Sequence, residues 1–166
     1  MLQSQAMQNV NFTEVKLTDL SDITHQILLS EHDRFDTPEF KIIRYIGIYK
    51  YGSEGKGDFT YIRAVCQSAC EAWWSKATIL DFSQLDYQWG DEMDSAIGMA
   101  EPLVILVGEK CRKALKTLWP DEYDDFCCDT MEQAITLART KIIRHDEQLE
   151  QQHQERNKQW SEEDKE

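Results

Sequence analysis

Long apolar runs are missing from this chain. No segment reaches the roughly 18 apolar residues that a membrane span needs, so no membrane role is expected. The opening stretch MLQSQAMQNVNF has neither a basic start nor a long apolar run, which predicts no signal peptide and a cytoplasmic location. Positive charge is scarce: 18 Lys and Arg face 31 Asp and Glu, a net charge of −13. Such a balance repels phosphate backbones, which argues against nucleic acid, and it steers the chain toward a basic protein. Acidity is also common among soluble bacterial proteins with no such partner.

Paired cysteines are missing too. Cys66, Cys70, Cys111, Cys127 and Cys128 make an odd count with no CxxC spacing, so free thiols are expected in a reducing compartment. Cys66 and Cys70 are four apart on a helix face where small apolar residues would serve equally well. The four histidines, His25, His32, His145 and His153, are scattered away from ligand spacing, so no metal is expected. GxSxG, HExxH, Walker and GxGxxG patterns are absent. The glycines of GSEGKGDF resemble a phosphate loop faintly, but Gly57 follows Lys56 where a Walker loop needs Ser or Thr. The sequence therefore predicts no cofactor and no enzyme. The one catalytic alternative is acid–base chemistry by Asp86, Asp91, Glu92 and Asp94, for which no cleft can be read.

What is present concentrates between Thr78 and Gly108. Two short runs rich in Ile, Val and Leu, Thr78–Phe82 and Pro102–Val107, suit strands buried on both faces. Between them lies a segment with acids but no Lys or Arg. Loops after buried parallel strands are where α/β folds place functional groups, so Ser83–Asp94 is the first candidate site.

Elsewhere, Asn11–Leu17 alternates as an edge strand, and residues 1–9 read as frayed. Ile23–Leu29 reads as strand in preference to helix, and Phe40–Tyr51 as a strong strand. Gly52–Gly57 is a loop, with Asp58 capping a helix to about Lys76. That helix buries Phe59, Ile62, Cys66, Ala69, Cys70, Trp73 and Ala77 on one stripe. Trp74 reads as boundary packing. A short helix opens near Asp91 and another spans Glu109–Trp119, with Ala114, Leu115 and Leu118 inward. Phe126–Cys128 is a last edge strand. Asp129 and Glu132 outline a capping box for a helix carrying Ala134, Ile135, Ala138, Ile142 and Leu149. The pattern predicts one α/β domain over residues 1–150, a mixed, mostly parallel sheet of four or five strands with three or four helices. Residues 151–166 are a polar helical extension or disordered tail.

This order resembles the STAS domain, the fold of bacterial anti-sigma-factor antagonists, over about residues 40 to 140. In that family a strand and turn of the form LDLSGLxxxDSSG precede a helix. TILDFSQLDYQWGDEM looks similar, with Leu80, Asp81, Phe82, Ser83 and Leu85 in matching places. PLVILVGEKCRKALKTL and DTMEQAITLAR are similar to the elements that follow. In partner-switching members a Ser or Thr after the turn aspartate accepts phosphate. Here Trp89, Gly90 and Asp91 occupy that region, and no Ser or Thr stands between Gln84 and Ser95. The resemblance implies the architecture without its phosphoswitch.

The function expected from these features is a non-catalytic acidic binding protein. The first reading is a bacterial immunity protein, an antitoxin that neutralises a cognate basic toxin. The alternative is a STAS-type signalling scaffold working by partner exchange. The expected contact residues are Asp86, Tyr87, Trp89, Asp91, Glu92 and Asp94, with a second patch of Asp121, Glu122, Tyr123, Asp124 and Asp125. Tyr87 and Trp89 either pack over the sheet end or stand out as interface anchors. The two patches are expected on opposite edges of the sheet.

Overall fold

The computed structural model describes residues 12–33 and 36–163. Five strands form one sheet in the order β1-β2-β3-β4-β5. They are β1 (Thr24–Leu29), β2 (Phe40–Ile48), β3 (Ala77–Asp86), β4 (Leu103–Val107) and β5 (Cys127–Cys128). β1 runs antiparallel to β2, and every other pairing is parallel. Among the described residues four α-helices join the sheet: α1 (Lys56–Ala72), α2 (Glu109–Leu118), α3 (Tyr123–Phe126) and α4 (Met131–Glu163). The predicted α/β sheet, mostly parallel with a mixed edge, is present.

Alternation along the strands divides the core in two. Ile43, Tyr45, Leu80, Phe82, Ile105 and Val107 face α1 and α2, meeting Phe59, Ile62, Cys66, Cys111 and Leu115. Phe40, Ala77, Ile79, Val104 and Leu106 face the opposite way, onto Ala134 and Ala138 of α4. Central strands buried on both faces must be apolar at successive positions, which is why β4 reads LVILV without a break.

β3 is longer than its apolar run. It continues through Asp86, so Ser83–Asp86 belong to the sheet and not to a loop. Between the pairs Arg44↔Asp81 and Ile46↔Gln84 the register shifts, with one extra residue on β3. This bulge restores inward facing to Leu85 and Tyr87 after Phe82.

Other boundaries also differ from the sequence reading. The predicted Asn11–Leu17 strand is absent from residue 12 onward, because Phe12 and Val15 lie exposed with no strand beside them; a 3-10 turn covers Leu17–Asp19. The predicted fraying of residues 1–9 lies outside the described residues. Gly52–Gly55 form a 3-10 turn and α1 begins at Lys56, so Asp58 sits inside its first turn. Asp58 is fully buried and accepts hydrogen bonds from Ser21 Oγ (2.5 Å) and Lys50 N (2.7 Å), joining two distant segments instead of capping the helix. α1 ends at Ala72, where Trp73 turns extended. Trp73 and Trp74 are both exposed, and Ala77 already belongs to β3. Thr130, not Asp129, caps α4: its Oγ1 accepts from Gln133 N at 3.2 Å, while Asp129 pairs with Arg112. From Ile143 to Asn157 α4 is almost wholly exposed, and its helix continues through Glu163.

Candidate functional site

The segment after β3 is held from below. Tyr87 is buried, its hydroxyl donates to Gly90 O at 2.7 Å, and its ring meets Tyr49 edge-on at 5.1 Å. The chain closes over this pair and turns Trp89 outward, 58% exposed. The Trp89 ring lies against Gly52, whose φ of +55° is a left-handed conformation that favours glycine. A Cβ at Gly52 would stand 2.8 Å from Trp89 Cζ3. The tight turn before α1 therefore forms the seat of the exposed indole.

Beside this loop runs α2. Between them opens a cavity of about 550 Å³, walled by Tyr87, Trp89 and Gly90 on one side and by Lys110, Lys113, Ala114 and Leu118 on the other. Lys110 Nζ lies 3.5 Å from Asp86 Oδ2. The cavity has an aromatic and aliphatic floor with a cationic rim, in a chain whose net charge is −13.

The predicted contact residues separate accordingly. Trp89 is exposed, whereas Tyr87 is core that supports it. Asp86 is half-buried and engaged by Lys110 and by Gln88 Nε2 at 3.2 Å. Glu92 is half-buried in the 3-10 segment Asp91–Met99; the side chain of Asp91 lies outside the described residues. Asp94 Oδ1 accepts from the buried Trp119 Nε1 at 3.1 Å, so this carboxylate fastens the 3-10 segment to the end of α2. In the second patch Asp121, Glu122, Asp124 and Asp125 are exposed, but Tyr123 is buried beneath Lys116 (5.1 Å from Nζ to the ring centroid). That patch therefore lacks an aromatic anchor. Asp124 and Asp125 border a second cavity together with Gly98, Leu103 and the cations Lys141 and Arg144 of α4. The two patches line separate cavities.

The sequence reading missed the lysines. Lys110, Lys113 and Lys116 recur every third residue on α2, a face visible as a pattern, but their meeting with the Trp89 loop needs the fold. It also missed the Arg44–Asp81 pair beneath β3. Asp81 is fully buried, with Arg44 Nε 2.6 Å from Oδ2 and Ser83 N donating to Oδ1 at 2.9 Å.

The architecture is that of the STAS domain. An anti-sigma factor antagonist from Mycobacterium paratuberculosis superposes with a TM-score of 0.50 at 14% sequence identity, covering 71% of this chain and 95% of that one. A second structure, the anti-sigma factor antagonist SpoIIAA in its unphosphorylated form, aligns at TM-score 0.41 and 19% identity over 70% and 97% of the two chains, too distant to add to the first. No family model matches the sequence, and no curated protein matches it.

These findings correct the first functional expectation. What shares the architecture is an anti-sigma factor antagonist, so the reading as an immunity protein, antitoxin or toxin inhibitor is withdrawn. The charged side chains that wall the cavity beside Trp89 are Lys110 and Lys113.

Proposed function

We propose that this chain is a non-catalytic regulatory scaffold of the anti-sigma-factor-antagonist kind, which binds a protein partner over Trp89 and α2. The observation that carries the reading is the half-exposed Trp89 ring, seated on Gly52 and facing Lys113 across an open cavity. A rigid indole bordered by charge is the composition of an interface anchor. The lysines favour a partner segment with carboxylates among apolar side chains. Exchange controlled by phosphate is not part of the proposal, because residues 84–94 hold neither Ser nor Thr.

The test is calorimetric titration of the purified chain with the anti-sigma factors encoded in its source genome. Saturable binding that Trp89→Ala weakens by about thirtyfold (roughly 2 kcal/mol) and Lys113→Glu weakens further at low salt supports the proposal. Binding indifferent to both substitutions moves the interface elsewhere. No binding to any of them overturns the assignment.

A further inference from the structure

The second cavity, of about 620 Å³, opens at the start of β4 and shares no residue with the one beside Trp89. Three walls form it. One is the face of α4 that carries Leu137, Lys141 and Arg144, a single helical stripe. The second is the short helix α3, with Asp124, Asp125 and Phe126. The third is the chain that enters β4, from Ile97 to Leu103. Gly98 lies in that wall, and a Cβ built on it would meet nothing within 4 Å, so the open space reaches its backbone.

Lys141 is half-buried, and its Nζ lies 3.6 Å from the centre of the Phe126 ring. Among the described residues no carboxylate comes within ion-pair distance of Lys141 or Arg144. A ring face attracts an ammonium, but it brings no opposite charge to a cation partly withdrawn from water. Burial accordingly holds the Lys141 pKa below the ordinary lysine value; Asp125 opposes that shift and Arg144 adds to it. Glu101, Asp124 and His145 are the other titratable groups of the lining. Cations and carboxylates thus border one cavity, and no ion pair joins Lys141 or Arg144 to the acids.

That balance of charge selects the ligand. A phosphate-rich anion would be drawn by Lys141 and Arg144 but repelled by Glu101, Asp124 and Asp125. A basic ligand would leave Lys141 without a counter-charge, and a wholly apolar one would desolvate it further. We propose that this cavity binds a small zwitterion with an apolar body, a dipeptide or a free amino acid. Its carboxylate pairs with Lys141 and Arg144, and its ammonium lies toward Asp124 and Asp125. Its side chains rest on Phe126, Leu137 and Ile97. The volume falls within the roughly 300–1,000 Å³ of small-molecule sites, with room for a dipeptide. Because Trp89 lines a different cavity, partner binding and ligand binding are separate measurements.

The experiment titrates the full chain with leucyl-leucine and with leucine by calorimetry. Saturable binding of one of them with a Kd below about 1 mM is expected, and the tighter of the two identifies the ligand class. Capping the carboxylate as an amide, or the amine as an acetamide, should each weaken binding at least about tenfold. Lys141→Met keeps an apolar stem over Phe126 and removes the charge. It should weaken the zwitterion about tenfold and leave the amide, which has no carboxylate to lose, unchanged. Gly98, whose φ is not left-handed, accepts a side chain without strain, so Gly98→Leu should fill the cavity and abolish binding in a folded chain. No saturation by either zwitterion up to about 10 mM would overturn the proposal. So would equal affinity for a capped form, full affinity in Lys141→Met, or binding retained in Gly98→Leu.

Discussion

Arg44 and Asp81 are directly paired on adjacent parallel strands, with Arg44 Nε 2.6 Å from the fully buried Asp81 carboxylate. Gln26 of β1 accepts from Arg44 Nη1 at 3.3 Å, so one ionic contact ties the three strands β1, β2 and β3 at the site of the bulge. Arg44→Ala leaves the carboxylate buried without its cation. The expected loss is about 3 kcal/mol, read as a lower urea midpoint with an unchanged slope. Asp81→Asn keeps an acceptor for Ser83 N–H and should cost less than Arg44→Ala.

Gly52 and Trp89 provide a separation of stability from binding. Gly52→Ala introduces a Cβ into a left-handed turn and onto the indole. It should cost about 1–2 kcal/mol and shift the Trp89 indole N–H resonance. Trp89→Ala removes an exposed side chain and should change stability by no more than about 0.5 kcal/mol. A large loss on Trp89→Ala would show that the ring is core and would remove it as an anchor.

His25 gives a signed pH dependence. Its Nδ1 is 2.7 Å from Tyr61 Oη, and burial lowers its pKa below the ordinary 6.5. Below about pH 6.5 the unfolded chain takes up a proton that the folded chain refuses, so the unfolded state binds more protons there. The contribution is therefore complete above pH 6.5 and fades as pH falls through the lowered folded value. The wild-type denaturation midpoint should drop from pH 7.5 to pH 5.5 by more than that of His25→Gln. Comparing the two chains cancels the general relief of charge repulsion in an acidic protein. Glu39, held low by Arg139, contributes in the same direction but in the lower carboxylate range.

Gly108 closes β4 against the backbone of β3. A Cβ there would lie 2.6 Å from Ser83 O and 2.9 Å from both Ser83 C and Cα, and backbone in a sheet cannot turn aside as a flexible side chain can. Gly108→Ala should cost about 2–3 kcal/mol by thermal or urea unfolding while the far-ultraviolet dichroism of the folded state is kept. A neutral substitution would mean that β3 and α2 move apart freely.

Much of the architecture was legible because local period matched local structure. FKIIRYIGI and LVILV could hardly be other than strands, and the 3–4 spacing from Phe59 to Ala69 marked α1. The errors arose where a polar or small residue was satisfied from a distance. β3 looked finished at Phe82 because Asp81, Ser83, Gln84 and Asp86 look like loop. They remain in the sheet because Arg44 neutralises Asp81 and the bulge resets the pleat. Asp58 looked like a cap because its partner Ser21 is 37 residues away. At the site the acids drew attention and the lysines did not, although Lys110 and Lys113 share a cavity wall with the exposed Trp89.

The amino-acid order alone determined the strand and helix types, the parallel sheet and the absence of a Ser or Thr in the turn. Each of these depends on side chains within a few positions of one another. Tertiary structure decided that Tyr87 is support while Trp89 is surface, that Asp94 holds Trp119, and that buried Lys41 reaches the carbonyls of Ala69 and Trp73. Those relations are contacts between segments tens of residues apart, whose distances exist only once the sheet has brought them together.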